Sequence, residues 1–201
     1  MDALAQLDEA FERAHNPLKS PEVFAGELRL GCCNARDMQE WTEIIYEASG
    51  KTQQVRAVSF ETCRVSTAPD QLLVKLLADM PGLQRIDMSR CNMTGPKLKT
   101  ILGGVIGKLP IFLDRVKEPT FSVFDDEPES TTTPPTYLDA ELNLSDNPIT
   151  TADFEAFVRC IGKPLKGVRK LHVSGTQIDD SCMPAICACF PNLESLHMHD
   201  T

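Results

Sequence analysis

The sequence predicts an α/β solenoid shaped like a horseshoe, with parallel strands lining its concave face and helices covering its convex face. First, a short apolar pattern, LxxLxLxx(N/C)xL, recurs along the chain. Second, successive copies are mostly 25 to 30 residues apart. Third, the segments between the copies place apolar residues at helical spacing. A unit of this kind buries its apolar side only against neighbouring units, so the units stack into one continuous core.

The strands are predicted from the copies of this pattern. Five segments carry it: residues 55–65, 83–93, 142–149, 168–178 and 193–201. A weaker copy, Leu28-Arg-Leu30 followed by Cys33, precedes them. Within each copy the fixed apolar residues alternate along the strand and face the core, so the residues between them face the concave surface.

The helices are predicted from the segments that follow each copy. Apolar residues recur at helical spacing in five of them: residues 38–45, 69–80, 97–109, 151–161 and 181–190. Proline or glycine stands where several of these segments end, as at Pro81-Gly82 and Pro191. Repeats of this length have room for a full helix after each strand.

The chain divides into four predicted regions. Residues 1–24 form an N-terminal helical cap, since Leu4, Leu7 and Phe11 share one helical face, and residues 25–110 hold the first repeats. The period then doubles, so one repeat is either missing or disguised, and residues 111–136 are interpreted as an irregular acidic, Pro/Thr-rich insertion. Residues 137–201 hold further repeats. Because the last copy stops at its strand, we expect this array to be truncated at its C-terminal end.

Composition excludes several classes of function. A formal charge of −9 and an isoelectric point near 4.9 argue against binding to nucleic acid, which requires a basic face. The N-terminus is acidic and no apolar run is long enough to span a bilayer, so we expect no membrane insertion.

The eight cysteines predict a reducing, cytoplasmic location. Cys63 and Cys91 occupy the position written N/C in the repeat pattern, here called the small polar slot. Cys160, Cys187 and Cys189 fall in helical segments. All five are interpreted as buried packing residues. The CxxxxCxC spacing that begins at Cys182 does not predict a zinc site, because helical residues two apart point away from each other.

The concave face is the candidate functional site, and a protein partner is predicted to bind across it. Its candidate contact residues are Arg29, Ser59, Asp87, Asn143, His172 and His197, flanked by Arg85, Arg90, Lys170 and His199. Both signs of charge occur among them, which favours specificity over bulk apolar affinity.

Three of these residues, His172, His197 and His199, should lie close together because adjacent strands are about 4.8 Å apart. Three histidines on one surface could bind a transition metal. The preferred interpretation is a polar surface that meets a protein, with no metal and no cofactor, since no cysteine or carboxylate completes a ligand set.

No motif of nucleophilic or metal-assisted catalysis occurs in the sequence, so the chain is not expected to be an enzyme. A hydrolase or transferase site in residues 111–136 or in a further domain is the contrasting hypothesis. A third is a structural subunit of a larger cytoskeletal, ciliary or other multiprotein assembly.

The repeats and their intervening helices resemble the ribonuclease-inhibitor-like class of leucine-rich repeats. That resemblance implies a protein-binding scaffold. Residues Tyr137–Ile149, with their L-x-L-S-x-N strand after a long connection, look like the repeats of CARMIL-type regulators of actin capping protein. This second resemblance implies a role in the actin cytoskeleton.

Overall fold

Six short parallel strands form the centre of the fold. The computed structural model describes residues 22–24, 26–30, 38–49, 52, 55–114, 116–117 and 137–200. The strands of the main sheet are β1 (Glu22–Phe24), β2 (Glu27–Arg29), β3 (Ala57–Ser59), β4 (Arg85–Asp87), β7 (Ala140–Asn143), β8 (Val168–His172) and β9 (Ser195–His197). They pair in the order β1-β2-β3-β4-β7-β8-β9, and only the β1–β2 pair is antiparallel.

The register of the parallel strands is the one that the repeat pattern predicts. The same apolar position of each copy lies side by side across the sheet: Leu28, Val58, Ile86, Leu142, Leu171 and Leu196. The first five of these side chains are fully buried. The predicted α/β repeat architecture is therefore present, and the alternation that buries these residues turns their neighbours to the other face.

Six α-helices are described, and one follows most strands. They are α1 (Met38–Ser49), α2 (Asp70–Ala78), α3 (Gly95–Val105), α4 (Pro110–Leu113), α5 (Thr151–Ile161) and α6 (Met183–Cys189). Their apolar sides supply buried residues such as Trp41, Leu77, Leu102, Phe157 and Ile186. These residues share one core with the strand leucines, so all described helices that contribute to it cover the same side of the sheet.

In three repeats the residue in the small polar slot links the repeat to the one before, whereas Thr176 donates to Val173 of its own repeat. The thiol of Cys63 donates to the carbonyl of Leu30 at 2.8 Å, and that of Cys91 donates to Phe60 at 2.8 Å. The side-chain amide of Asn147 continues the series by donating to Met88 at 2.7 Å. Burial raises the pKa of the Cys91 thiol to about 12, so this group stays protonated and keeps its hydrogen.

A left-handed residue precedes this slot in every repeat where both are described. Thr62, Arg90, Asp146 and Gly175 have φ between 56° and 65°. The turn reverses the chain after the strand, so that the next side chain points into the core. Three of these four residues carry a Cβ and bear the steric cost of that conformation, which shows how strongly the repeat imposes it.

Among the described residues, the doubled period contributes no further strand to the main sheet, and β4 pairs directly with β7. Strands β5 (Val116–Lys117) and β6 (Tyr137–Leu138) form a separate antiparallel pair that joins the two ends of residues 118–136. The irregular insertion was predicted to begin at residue 111, and that boundary is wrong. Ile111 and Phe112 are buried in α4, so the packed structure extends beyond them.

Two further expectations need correction. Residues 22–24 form a strand, although they were assigned to the helical cap; the predicted helix at residues 2–14 lies outside the described residues. Cys160 and Cys187 are exposed rather than buried, whereas Cys63, Cys91, Cys182 and Cys189 are buried as predicted. Both exposed cysteines lie on short helices whose apolar faces are already filled by neighbouring residues.

Replacing Gly167 by alanine should lower the free energy of unfolding by about 3 kcal/mol. An added Cβ would lie 1.7 Å from the carbonyl oxygen of Ile111 and 2.8 Å from its carbon, both backbone atoms. The backbone is held there because the amide of Gly167 donates to Phe112 at 3.1 Å. Urea unfolding followed by circular dichroism measures the change.

Gly104→Ala is the matched control. A Cβ at this position in α3 would meet Val74 at 3.6 Å, which is ordinary contact. Alanine favours a helix interior over glycine by about 1 kcal/mol, so this variant should be at least as stable as the parent. Equal destabilisation by the two variants would contradict the close backbone approach at Gly167.

Candidate functional site

The side chains that point away from the core form two rows across the parallel sheet. The first row is Glu27, Ala57, Arg85, Glu141, Lys170 and Ser195, and the second is Arg29, Ser59, Asp87, Asn143, His172 and His197. We call this surface the polar face. It contains every candidate contact residue predicted for the strands, and Arg90 and His199 lie just beyond the ends of β4 and β9.

Three residues of the second row bond the backbone that follows them. The carboxylate of Asp87 accepts from the amide of Ser89 at 3.0 Å, and the Asn143 carbonyl accepts from Ser145 at 3.1 Å. Ser59 accepts from the amide of Glu61 at 3.4 Å and is itself buried, so it presents less surface to a partner than the other predicted contact residues of this row. These side chains shape the turn after each strand in addition to presenting polar atoms.

The cations at the β2 end of the polar face are already paired. Glu27 bonds Arg29 at 2.8 Å and Arg85 at 2.5 Å, the latter across the small side chain of Ala57. Arg90 bonds Asp146 at 3.1 Å, and both of these side chains are exposed. Salt bridges at such exposed positions contribute little to stability. They do, however, leave few unpaired charges at the β2 end of the polar face.

The β9 end of the polar face is formed by imidazole rings. The rings of His172 and His197 stack with their centroids 4.3 Å apart and their planes 7° from parallel, so the predicted contact is present. His199 stands edge-on to His197 at 6.2 Å. The hydroxyl of Ser195 lies 2.9 Å from Nε2 of His197.

His172 is kept neutral near pH 7 by its surroundings. Burial lowers its pKa below the usual value, and the neighbouring His197 and Lys170 act in the same direction, while Glu141 and Asp87 oppose them. Its Nε2 is buried without a hydrogen-bond partner, and the nearest carboxylate oxygen, on Glu141, is 3.6 Å away. The folded pKa lies below the unfolded one, so stability is lost as the pH falls through the ordinary histidine pKa of about 6.5 and towards the lower pKa of the folded state.

The geometry does not favour a metal site at the histidines. A ring nitrogen binds a metal in the plane of its ring, and two stacked parallel rings cannot direct their lone pairs to one point. Within the described part of the chain, no three His, Cys, Asp or Glu residues are grouped so that they could hold an ion.

The contact between Ser195 and His197 is not a catalytic arrangement. A serine nucleophile requires a base that a third group orients, together with donors for the oxyanion. The ring neighbours of His197 are His172 and His199, which pack against it and do not fix its tautomer. Ser195 lines a pocket beside α6, but His197 is not among the residues that line it.

Two charged residues near the site were not predicted from the sequence. Glu141 lies between Lys170 and His172, with distances of 4.0 and 3.6 Å to their side-chain nitrogens. Arg169 is buried at a register shift opposite Ala140 and Glu141, where it donates to the carbonyl of Asn192 at 2.7 Å. The alternation in the sequence could have identified Glu141, but nothing in the repeat pattern marks the bulge that turns Arg169 inward.

Comparisons with known proteins concern the fold. No family model matches the chain, and no curated protein matches it. The chain is similar to the solved structure of leiomodin-1 actin-binding site 2, with 12% identity, a TM-score of 0.46 and 79% of each chain covered. It is also similar to the tropomodulin C-terminal domain of Caenorhabditis elegans, with 10% identity, a TM-score of 0.49, and 79% of this chain and 81% of that one covered. At such values the function has to be argued from the residues.

One structural fact bears on membranes. None of the helices in the described ranges is both long and apolar enough to cross a bilayer.

Proposed function

We propose that this chain is a non-enzymatic protein-interaction module whose partner lies across the polar face. The observation that carries the proposal is the alignment of polar side chains in two rows across six parallel strands. A surface of this kind offers many donors and acceptors at fixed spacing, which suits recognition of another protein. Among the described residues, no three His, Cys, Asp or Glu side chains are grouped so that they could hold a metal ion.

We further propose that the polar face is the concave side of a horseshoe of the ribonuclease-inhibitor-like class, in a cytoplasmic protein. Helices are bulkier than strands, so a stack of strand-helix units curves towards its strands. The resulting concave surface would surround a partner from Arg29 at one end to His197 at the other.

A steric block on the polar face tests the proposal. Ser145 follows Asn143 at the end of β7, and the hydrogen bonds described for it involve its backbone. Ser145→Trp should therefore leave the fold intact and reduce capture of partners from native extract at least about tenfold, because a hot-spot contact contributes 2 kcal/mol or more. Mass spectrometry of the captured proteins measures the loss.

Ala152→Trp, which adds the same bulk at an exposed position on α5, is the matched control and should capture partners normally. If Ala152→Trp abolished capture while Ser145→Trp did not, the helices would be the interface and the proposal would fail. The captured proteins also decide the alternative role, a structural subunit of a cytoskeletal, ciliary or other assembly. The CARMIL-like residues Tyr137–Ile149 motivate the actin-related form of that alternative.

A further inference from the structure

We propose that the part of the polar face around Asp87 and Glu141 binds a lysine- or arginine-rich segment of the partner protein, and that protonation of the adjacent histidines releases it. This inference rests on the proposed function and names the chemistry of the partner. Three features of the polar face support it: the balance of its charges, the position of its carboxylates and the position of its imidazoles.

Carboxylates outnumber cations on this surface when the histidines are neutral. Among the described residues, the acidic side chains in its two rows or within three residues after its strands are Glu27, Glu61, Asp87, Glu141, Asp146 and Asp200. The cationic ones are Arg29, Arg85, Arg90 and Lys170. Six against four leaves an excess of two negative charges. The whole chain has a formal charge of −9, so its long-range field also attracts a basic partner.

Most cations of this surface form ion pairs with particular carboxylates. The excess negative charge therefore lies at the carboxylates that remain. Arg29 and Arg85 both bond Glu27, and Arg90 bonds Asp146. Asp87 is held by hydrogen bonds from Ser89, which carries no charge.

Glu141 has Lys170 as a cationic neighbour at 4.0 Å, with the Lys170 side chain more than half exposed, whereas Arg85, opposite Glu141 on β4, bonds Glu27 instead. Asp87 and Glu141 stand on the neighbouring strands β4 and β7 and face the same side. The two carboxylates therefore form the negative centre that a basic side chain would occupy.

The histidines lie directly beside this centre. His172 on β8 is close enough to Glu141 and Asp87 for both carboxylates to favour its protonated form, whereas Lys170 on its own strand and His197 on β9 oppose it. His199 and Asp200 follow His197 at the end of the face. Protonating all three rings would add three positive charges. The excess of two negative charges on this surface would then become an excess of one positive charge.

The direction of the pH effect follows from this arrangement. A bound lysine or arginine competes with the protonated imidazoles for the same two carboxylates, so binding favours neutral rings. Protons therefore weaken binding, and affinity falls as the pH is lowered and His172 becomes protonated.

The test measures binding of fluorescein-labelled hexalysine by fluorescence anisotropy at pH 7.5 and 5.5, at constant ionic strength. We expect binding to be about tenfold weaker at pH 5.5, because charges near a protein surface interact with energies of a few kcal/mol at these separations. In the variant carrying both His172→Gln and His197→Gln, the ratio between the two pH values should fall towards one. A tenfold ratio that persisted in this variant would overturn the release by histidine.

A charge-matched pair of variants separates the site from a general attraction to an acidic protein. Asp87→Asn with Glu141→Gln removes both carboxylates and keeps the side-chain oxygen that Ser89 bonds, as Asn143 does in the next repeat. Asp79→Asn with Asp180→Asn removes two exposed carboxylates at helix ends and leaves the same net charge. The first double variant should bind hexalysine at least about fivefold more weakly than the second.

Equal affinities for hexalysine in the two double variants would overturn the assignment of the site, and tighter binding of hexaglutamate than of hexalysine would overturn the chemistry. Neither result would affect the proposed function if Ser145→Trp still blocked capture of the native partner. Loss of the Ser145→Trp effect alone would instead refute the binding surface itself. The two proposals can therefore fail separately.

Discussion

Replacing Leu171 by aspartate is expected to unfold the repeat array, with a loss of more than about 5 kcal/mol of stability, which is comparable to the total stability of many domains. Leu171 is fully buried on β8 between Leu142 and Leu196 of the neighbouring strands. The variant both removes a leucine side chain from the core and places a carboxylate where no cation or water can compensate it. Circular dichroism and thermal unfolding measure the loss.

The position next to it in the sequence provides the control. Lys170 faces the polar side with its side chain more than half exposed, so Lys170→Ala should change stability by less than about 0.5 kcal/mol. Ile86→Asp, at the equivalent core position of β4, should behave like Leu171→Asp. Equal tolerance of all three substitutions would contradict the register of the sheet, because a shift by one residue exchanges the two faces.

The repeated pattern made most of the fold predictable. Alternation within LxL decides which residues are buried, and the same pattern recurs in each unit. A wrong register in one copy would therefore have disagreed with the register of all the others. Helix α5 shows that local signals agree with it: Thr150 and Asp153 form a capping box, and Gly162 ends the helix with φ of 67°. The bounds predicted for this helix, residues 151–161, are the observed ones.

The places where prediction failed are those where the chain departs from the repeat. Ile111 and Phe112 continue the packed structure into a short helix that has no counterpart in the described parts of the other units. The bulge at Arg169 adds a residue to β8 without altering the apolar pattern on either side. A periodic pattern cannot predict such additions, because the repeats before and after each addition still match the pattern.

The candidate site was predictable as a surface but not as a set of interactions. The positions of His172 and His197 in the pattern were sufficient to place their rings together. The pairing of Glu27 with both Arg29 and Arg85 was not predictable, since it depends on the small side chain of Ala57 between them. A polar residue can bond the backbone that follows it, as Asp87 does, or it can remain available to a partner. Side-chain geometry decides between the two, and the repeat pattern does not specify that geometry.

Replacing Asn147 by alanine should lower the free energy of unfolding by about 4 kcal/mol, because each buried polar group left without a partner costs roughly 1 to 3 kcal/mol. Asn147 is almost completely buried, and its carbonyl accepts from the amides of Cys91 and Met93 at 3.1 and 2.8 Å. Its amide donates to the carbonyls of Met88 and Leu144 at 2.7 and 2.9 Å. One side chain thus ties the β7 repeat to the β4 repeat, the two units separated by the longest connection in the sequence.

The chain itself supplies the matched variant for this position. Cys63 and Cys91 occupy the same slot in earlier repeats, where each thiol donates to one carbonyl of the preceding unit. Asn147→Cys should therefore keep the bond to Met88 while losing the acceptor for Cys91 and Met93, and should cost about half as much as Asn147→Ala. Urea unfolding of the two variants would measure the difference. If alanine and cysteine were equally destabilising, the link to Met88 would contribute nothing; if neither destabilised the protein, the slot would not join the repeats across the long connection.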